Sequence, residues 1–342
     1  VRQLDSRAVA RVPLDILCYD ILDASGEVPG THSGRLDALK EWGFAVSELN
    51  KPIRSYEELA DYRQQLMDQR DDLALELDGV VVKVNDIETR SRMGSRGRSP
   101  RWAFAWKFPP RREETRVERI TVQVGRTGKL TPVALLDPVD IGGVTVSRAS
   151  LHNADEVERL DVRSGDLVHL ERAGDVIPHV VERVAEQGRE RSEPFSMPDE
   201  CPVCGASVVR DGAYHRCSNG LACPAQLRGA LEHYGSREAL DIDHLGEKTA
   251  DLLVSAGLVS ELADLYKLGK EDVAELEGFA QKSAAQLIAA IDGSREPPLE
   301  RFLYALGIPG VGRHVARRIA SAFGSLETVM DADEESLAKV SD

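Results

Sequence analysis

Four cysteines constrain this chain more than any other feature. They stand in "CPVCGASVVRDGAYHRCSNGLACPAQ" as Cys201, Cys204, Cys217 and Cys223, which is C-x2-C, twelve residues, then C-x5-C. A tetrahedral Zn²⁺ takes four soft ligands, and the CPVCG knuckle lets one tight turn offer two thiolates to a single ion, with Gly205 supplying the backbone freedom. Two disulfides would use the same residues. The N-terminus, "VRQLDSRAVARVPLD", carries no apolar signal-peptide run, however, and a reducing compartment favours the metal. With protein filling all four positions no place is left for water, so the expected Zn²⁺ is structural. Cys18, in "DILCYD", has no partner in sequence and reads as a core residue.

A length of 342 residues implies several small cores, and the texture changes along the chain suggest four units. Residues 1–112 mix helix and strand signals, with "SYEELADYRQQLMDQRDDL" reading as an amphipathic helix capped by Ser55 and closed by Glu58 in a capping box. Residues 113–192 turn to short β runs broken by Gly and Pro, five strands in about 75 residues, which suggests a small closed barrel of the OB type. "EQGRERSEPFSMPDE" has linker composition and leads into the cysteine module at 193–226. From 227 to 342 Ala and Leu recur at helix spacing. The fold class expected is multidomain α+β. No stretch reaches the roughly 18 apolar residues that span a bilayer.

The formal net charge is −15, which argues against a nucleic-acid partner on average. The distribution says otherwise. Between Arg90 and Lys129 twelve lysines and arginines face three glutamates, a local net of +9 that a polyanion can use.

Inside that basic region and just before it, two strands carry a lysine each. In "LDGVVVKV", alternation puts Val80, Val82 and Val84 on one face and Val81 and Lys83 on the other. "RWAFAWKFPP" repeats the device, with Trp102, Phe104, Trp106 and Phe108 opposite Ala103, Ala105 and Lys107. Small side chains beside ammonium groups leave room for a flat ligand bearing a phosphate. Either lysine alone is also what the solvent side of an amphipathic strand looks like.

The helical part contains a repeat. "HLGEKTADLL" from His244, "GFAQKSAAQL" from Gly278 and "GVGRHVARRI" from Gly310 align at offsets of 34 and 32 residues, each with an apolar second residue, a small third and Ala seventh. Helix, tight hairpin, helix would produce this pattern, and a hairpin whose N–H groups open a helix binds phosphate without reading bases. The segments resemble the helix-hairpin-helix module. The third copy is the most specific, with Gly310 and Gly312 in the hairpin and Arg313, Arg317 and Arg318 behind it.

Taken in order, "LDGVVVKV", "RSPRWAFAWKFPP", "VGRTGKLTPVALLDPV", "LHN", "RAGDVIP", four cysteines and hairpins resemble bacterial NAD-dependent DNA ligases over nearly the whole chain. The resemblance implies that Lys83 and Lys107 contact the AMP phosphate or the nucleotide, and that Asp78 binds Mg²⁺ or orients a lysine. It implies that the barrel grips nicked duplex DNA, with Arg126 and Arg172 as contacts. It also implies a cytoplasmic monomer using NAD⁺, Mg²⁺ and structural Zn²⁺. In this family a K-x-D-G lysine attacks NAD⁺, AMP passes to the 5′-phosphate of the nick, and the 3′-hydroxyl displaces it. No K-x-D-G occurs in these 342 residues, so the family's pattern places that lysine and the nicotinamide-recognising domain upstream of Val1 and a BRCT domain beyond Asp342. A fragment of that kind is expected not to adenylate itself. An ATP-dependent ligase or capping enzyme shares the two lysine strands and the barrel but not ordinarily the zinc and hairpin tail. A DNA-binding adaptor with a decayed nucleotide site is the other alternative.

Overall fold

The computed structural model describes residues 10–70, 72–96, 99–141, 144–172, 178–186, 188 and 190–340, with the Arg172 side chain excluded. The chain forms two compact units, Val1–Pro110 and Arg111–Asp342.

In the first unit, helix α1 (His32–Glu41) starts at Thr31, whose hydroxyl accepts the Gly34 N–H. Helix α2 (Tyr56–Asp68) starts at Ser55, whose Oγ accepts the Glu58 N–H at 3.1 Å. The expected reciprocal bond is displaced by one residue, because the Glu58 carboxylate takes the Arg54 N–H at 2.9 Å. Strand β1 (Gly79–Lys83), helix α3 (Ile87–Met93), the short pair β2 (Ser95–Arg96) and β3 (Ser99–Pro100), and β4 (Ala103–Lys107) complete the unit. Its core is thin: Ile21, Leu36, Leu39 and Val46 are buried together, and Cys18 packs on them only partly buried. Thirteen of the 21 exposed large apolar side chains of the described residues belong to this unit, among them Phe104 and Val81. Its two-stranded ladder therefore carries little of the burial that stabilises sheets.

The second unit begins with the barrel. Strands β5 (Arg111–Val124), β6 (Lys129–Asp140), β7 (Thr145–Ser150), β8 (Leu167–Arg172) and β9 (His179–Val184) run β6-β5-β8-β9-β7 and close through β6–β7. The long β5 serves both halves: its N-terminal end pairs with β8 and its C-terminal end with β6, across an irregularity between Val117 and Arg119. Helix α4 (Ala154–Leu160), capped by Asn153, plugs one end with Val157 and Leu160. The barrel is the five-stranded closed architecture expected from the β-rich stretch.

The segment after the barrel has linker composition but is held down. Arg191 forks onto Asp161 and onto the buried Asp166, Phe195 packs on the barrel core, and Met197 packs on the cysteines. Strands β10 (Val208–Asp211) and β11 (Tyr214–Cys217) then form a hairpin, and β11 pairs with β6 through His215↔Leu130 and Arg216↔Lys129. The cysteine module thus extends the barrel's sheet.

Helices α5 (Pro224–Gly235), α6 (Glu247–Ser255), α7 (Lys270–Ala274), α8 (Gln281–Gly293), α9 (Leu299–Ala305), α10 (Arg313–Phe323), α11 (Leu326–Met330) and α12 (Glu334–Ala338) follow. Leu231, Leu253, Leu265, Leu287 and Ile291 are fully buried in one cluster. A chain of hydroxyls, Tyr234 to Tyr266 at 3.1 Å and Tyr266 to Ser294 at 3.0 Å, satisfies the polar atoms inside it. No helix among the described residues is long and apolar enough to cross a membrane.

Candidate functional site

The two lysine strands pair with each other. β1 and β4 are antiparallel with Gly79↔Lys107, Val81↔Ala105 and Lys83↔Ala103 in register. Directly opposed residues share a face, so Lys83 and Lys107 emerge on the same side, at opposite ends of a ladder about 13 Å long. Ala103 and Ala105 lie between them, and Val81, on that face too, is 60% exposed. The lysine face is a shallow open surface.

Gly79 explains why the "DG" precedes the valines. Its φ is +154°, and a Cβ there would stand 2.5 Å from the Lys107 Cα and 2.5 Å from the Trp106 carbonyl oxygen. Only glycine lets the strands approach at that point. The approach brings Asp78 beside Lys107, Oδ2 to Nζ 3.7 Å, and the Asp78 carbonyl accepts the Phe108 N–H.

A hollow of 360 Å³ lies on the other face, lined by Tyr56, Leu59, Val82, Phe104 and Trp106. There Tyr56 stacks on Trp106 at 5.8 Å and Arg63 of α2 covers the Trp106 ring at 4.8 Å while donating to the Lys107 carbonyl. The aromatic side is thus where α2 docks, and room for a ligand on the lysine side comes from its openness.

Lys83 is seated by residues that sequence reasoning did not single out. Asp20 stands 3.5 Å from Arg90, 3.7 Å from Arg35 and 3.8 Å from His32. Arg90 is buried, lies over the Trp102 ring at 4.3 Å and donates to the Val84 carbonyl, so it pins the end of β1. Burial pushes the Lys83 pKa down, the Asp20 carboxylate opposes that shift, and Arg90 adds to it. Burial also lowers the His32 pKa, followed by the charges of Lys83 and Arg90. The knot joins residues up to 70 apart in sequence, which no local pattern announces.

The same ion pairing draws on the basic stretch. Arg90, Lys107, Arg112 and Arg116 are committed to Asp20, Asp78, Glu171 and Glu186. Less of the +9 run is open to a polyanion than its count suggests, and Arg98 lies outside the described residues.

The four cysteines converge. All four Sγ atoms lie within 4.8 Å of one another, with Cys201 to Cys223 at 4.0 Å and Cys204 to Cys217 at 3.5 Å. Zn–S bonds of about 2.3 Å at tetrahedral angles put sulfurs about 3.8 Å apart, so the donor set fits. No disulfide links them. The Ala206 N–H brings the Cys204 thiol down to about 7, whereas burial pushes Cys217 up to about 12 and raises Cys223 as well. Cys223 also caps α5, with Pro224 in its first turn, so the metal site and the first long helix share a residue.

The repeat holds in three dimensions. His244, Gly278 and Gly310 have φ of 70°, 82° and 81°, so one left-handed residue opens each hairpin at the aligned position. Gly246, Ala280 and Gly312 are the N-caps of α6, α8 and α10. The copies then diverge. Leu245 is buried, and the Ala280 N–H is taken by its own Ser283 hydroxyl. Gly310 and Gly312 are exposed, with no acidic residue in the first turn of α10. Behind them Arg313 pairs with Glu238 at 2.6 Å, Arg317 stands 3.7 Å from Glu300, and Arg317 and Arg318 line a basic groove with His314 and Lys339. Arg126 is exposed at the β5–β6 turn. The backbone of Arg172 pairs with Arg111, but its side chain and residues 173–177 lie outside the described residues.

Comparison with known proteins covers all of these parts. Residues 1–111 match the NAD-dependent DNA ligase adenylation domain, 114–193 its OB-fold domain and 200–225 its C4 zinc finger domain. Residues 236–292 match a SAM-like helix-hairpin-helix tandem and 301–342 a helix-hairpin-helix motif. The chain belongs to the NAD-dependent DNA ligase family. It is 51% identical to a DNA ligase of Alkalilimnicola ehrlichii, with all of this chain and 51% of that protein aligned. A DNA ligase of Salinibacter ruber is 50% identical over all of this chain and 50% of its own length, and one of Haloferax volcanii 51% over 98% and 47%. The chain therefore spans about half the length of the curated relatives it matches. Within the ligase framework the lysine ladder falls in the adenylation-domain match and the thiolates in the zinc-finger match.

Proposed function

We propose that the chain is the DNA-gripping and nucleotide-contacting part of an enzyme that seals nicks in duplex DNA, joining 5′-phosphate to 3′-hydroxyl with NAD⁺ as AMP donor. The observation that carries this is the one-faced placement of Lys83 and Lys107 on a ladder closed by Gly79, in a chain that also holds a barrel, a C4 module and phosphate-type hairpins. Two lysines on one open face, at opposite ends of a ladder about 13 Å long, suit an extended, doubly charged substrate such as a nucleotide meeting a DNA 5′-phosphate. Their work is alignment and charge neutralisation, which is most of what a protein contributes to phosphoryl transfer. The Asp78 carboxylate, 3.7 Å from the Lys107 ammonium, would either hold Mg²⁺, which would neutralise developing phosphate charge, or orient that lysine. The four thiolates hold Zn²⁺ as a structural ion. DNA is met through backbone phosphates by Arg126, Arg172, the Gly310–Gly312 hairpin, Arg317 and Arg318.

The 342 residues contain no K-x-D-G, so adenylation requires the part of the relatives that this chain does not span. The test joins the chain to that part of a relative. The hybrid is expected to form protein–AMP from NAD⁺ and to seal a nick, and Lys83→Ala or Lys107→Ala is expected to lower sealing by at least about a hundredfold, roughly 2.7 kcal/mol of barrier. A hybrid that forms protein–AMP and binds nicked duplex, yet seals equally well without either lysine, overturns the nucleotide role.

A further inference from the structure

We infer that the Gly125–Gly128 turn of the barrel is a keyed joint, and that Gly229 and Gly307 are positioning residues that hold the third hairpin and the Arg126 guanidinium on one phosphate-binding surface. Three consecutive residues of the turn are gripped from outside the barrel, Thr127 by β11, Gly128 by β11 and α5, and Arg126 by α5. The Gly128 carbonyl accepts the Cys217 N–H at 2.9 Å, and a Cβ on Gly128 would stand 2.8 Å from the Cys217 oxygen and 2.9 Å from Oε1 of the buried Gln226. The Thr127 carbonyl accepts from Arg216 of β11 at 3.1 Å. Arg126 lies against the middle of α5, where a Cβ on Gly229 would meet its Cβ at 2.9 Å and its Cα at 3.1 Å.

Glycine in a helix interior costs stability, and here close approach of another backbone accounts for it. The Arg126 guanidinium then runs over Gly307, whose added Cβ would collide with its Nη1 and lie 3.5 Å from His233. His233 is itself tied to the Tyr304 carbonyl at 2.8 Å. Gly307 is three residues before Gly310. The barrel turn, the zinc module and the third hairpin are thus fitted together without an intervening side chain at three points, and the exposed end of Arg126 sits next to the hairpin. Spaced rigidly, they engage phosphates of one DNA segment together. This last step rests on the reading that the Gly310–Gly312 hairpin meets DNA.

The test compares the whole chain with Gly229→Ala and with Arg126→Gly/Gly229→Ala, in which the obstructing Cβ is removed. Zinc content and far-ultraviolet dichroism report folding, and amide exchange at residues 126–130 and 226–230 reports the joint without DNA. Gly229→Ala is expected to keep one zinc per chain, to speed exchange at both segments at least tenfold, and to weaken duplex binding about tenfold with a shallower salt dependence. The double variant is expected to regain slow exchange. Unchanged exchange in Gly229→Ala, or fast exchange that the double variant does not reverse, overturns the joint. Exchange behaving as expected in a chain that binds no duplex at any salt upholds the joint and removes the DNA reading. Should Gly229→Ala fail to fold, Gly307→Ala is compared with Arg126→Ala/Gly307→Ala; the left-handed φ of +65° at Gly307 strains both alike, so the difference between them decides, faster exchange in the single variant supporting the joint and equal exchange overturning it.

Discussion

The zinc module and the lysine ladder are both built from short β elements with functional side chains at fixed spacing, yet they treat those side chains oppositely. Cys201, Cys217 and Cys223 are buried, and their partners lie within 22 residues of sequence. Lys83 and Lys107 stand on a two-stranded ladder that leaves Val81 and Phe104 largely exposed. A structural ion wants a closed donor set that never opens, whereas the substrate proposed for the ladder must enter and leave, which suits side chains on a surface that are steadied from behind. The contrast makes the zinc module an energetic keystone and the ladder a marginal one.

The largest effect should follow metal removal. Structural zinc contributes on the order of 10 kcal/mol to folding of finger modules, and here the module also carries the Cys217 contact to the barrel and the Cys223 cap of α5. Cys217→Ser, or extraction by chelator, is expected to unfold β10 and β11 and lower the melting temperature of the Arg111–Asp342 unit by about 10 °C or more. Calorimetry with stoichiometric metal analysis checks it. An unchanged melt after the metal is gone would show the module to be an ornament on the barrel.

Next comes Gly79→Ala. A methyl group 2.5 Å from backbone atoms of β4 has no flexible neighbour to displace, and together with the strained φ it should cost about 3 kcal/mol. The expected signature is selective: the melt of the first unit falls while that of the second does not move. If both fall together, the two units are one cooperative body and the contrast collapses.

These two sites were unequally legible. Cysteine spacing is local chemistry, and a helical repeat with a left-handed residue at His244, Gly278 and Gly310 is written three times over, so both could be read from sequence. Strand alternation placed Lys83 opposite the valines and Lys107 opposite the aromatics within each strand, whereas their common face comes from the register of the pairing, Gly79↔Lys107 and Lys83↔Ala103, which no local pattern states. What steadies Lys83 could not be read: Asp20, His32, Arg35 and Arg90 become a cluster only when distant segments meet. Nor could the roles of Gly128, Gly229 and Gly307, since a glycine that admits a neighbour looks like one that merely bends. Arg191, in a segment with linker composition, turned out to fasten that segment to Asp161 and Asp166.

A smaller effect is expected from the open hairpin. Arg317→Ala/Arg318→Ala should weaken binding to every duplex about tenfold, roughly 1.4 kcal/mol, and make the slope of log affinity against log salt shallower by up to about 1.8. Lys282→Ala in the second hairpin, whose cap N–H is already taken by Ser283, should do less. Loss of affinity for one sequence alone, or equal losses from both hairpins, would show that exposure of the third copy has no bearing on DNA.

The smallest effect has the most telling sign. Burial lowers the Lys83 pKa below the ordinary lysine value, so the folded state holds this proton less tightly than the unfolded chain does. Where the unfolded state binds more protons, stability rises with pH, and the cost of seating a charged Lys83 is fully present at neutral pH and fades as pH climbs through the folded pKa toward 10.5, the unperturbed value. Lys83→Met keeps most of the chain length without the charge. It should therefore raise the melting temperature of the first unit slightly at pH 7, with the advantage shrinking toward pH 10, while removing sealing from the hybrid enzyme. A group that destabilises its own fold and is still required by the reaction is held for its ligand. If Lys83→Met instead lowers the melt at pH 7, the ammonium is part of the Asp20 knot, and the ladder resembles the zinc module more than its open face suggests.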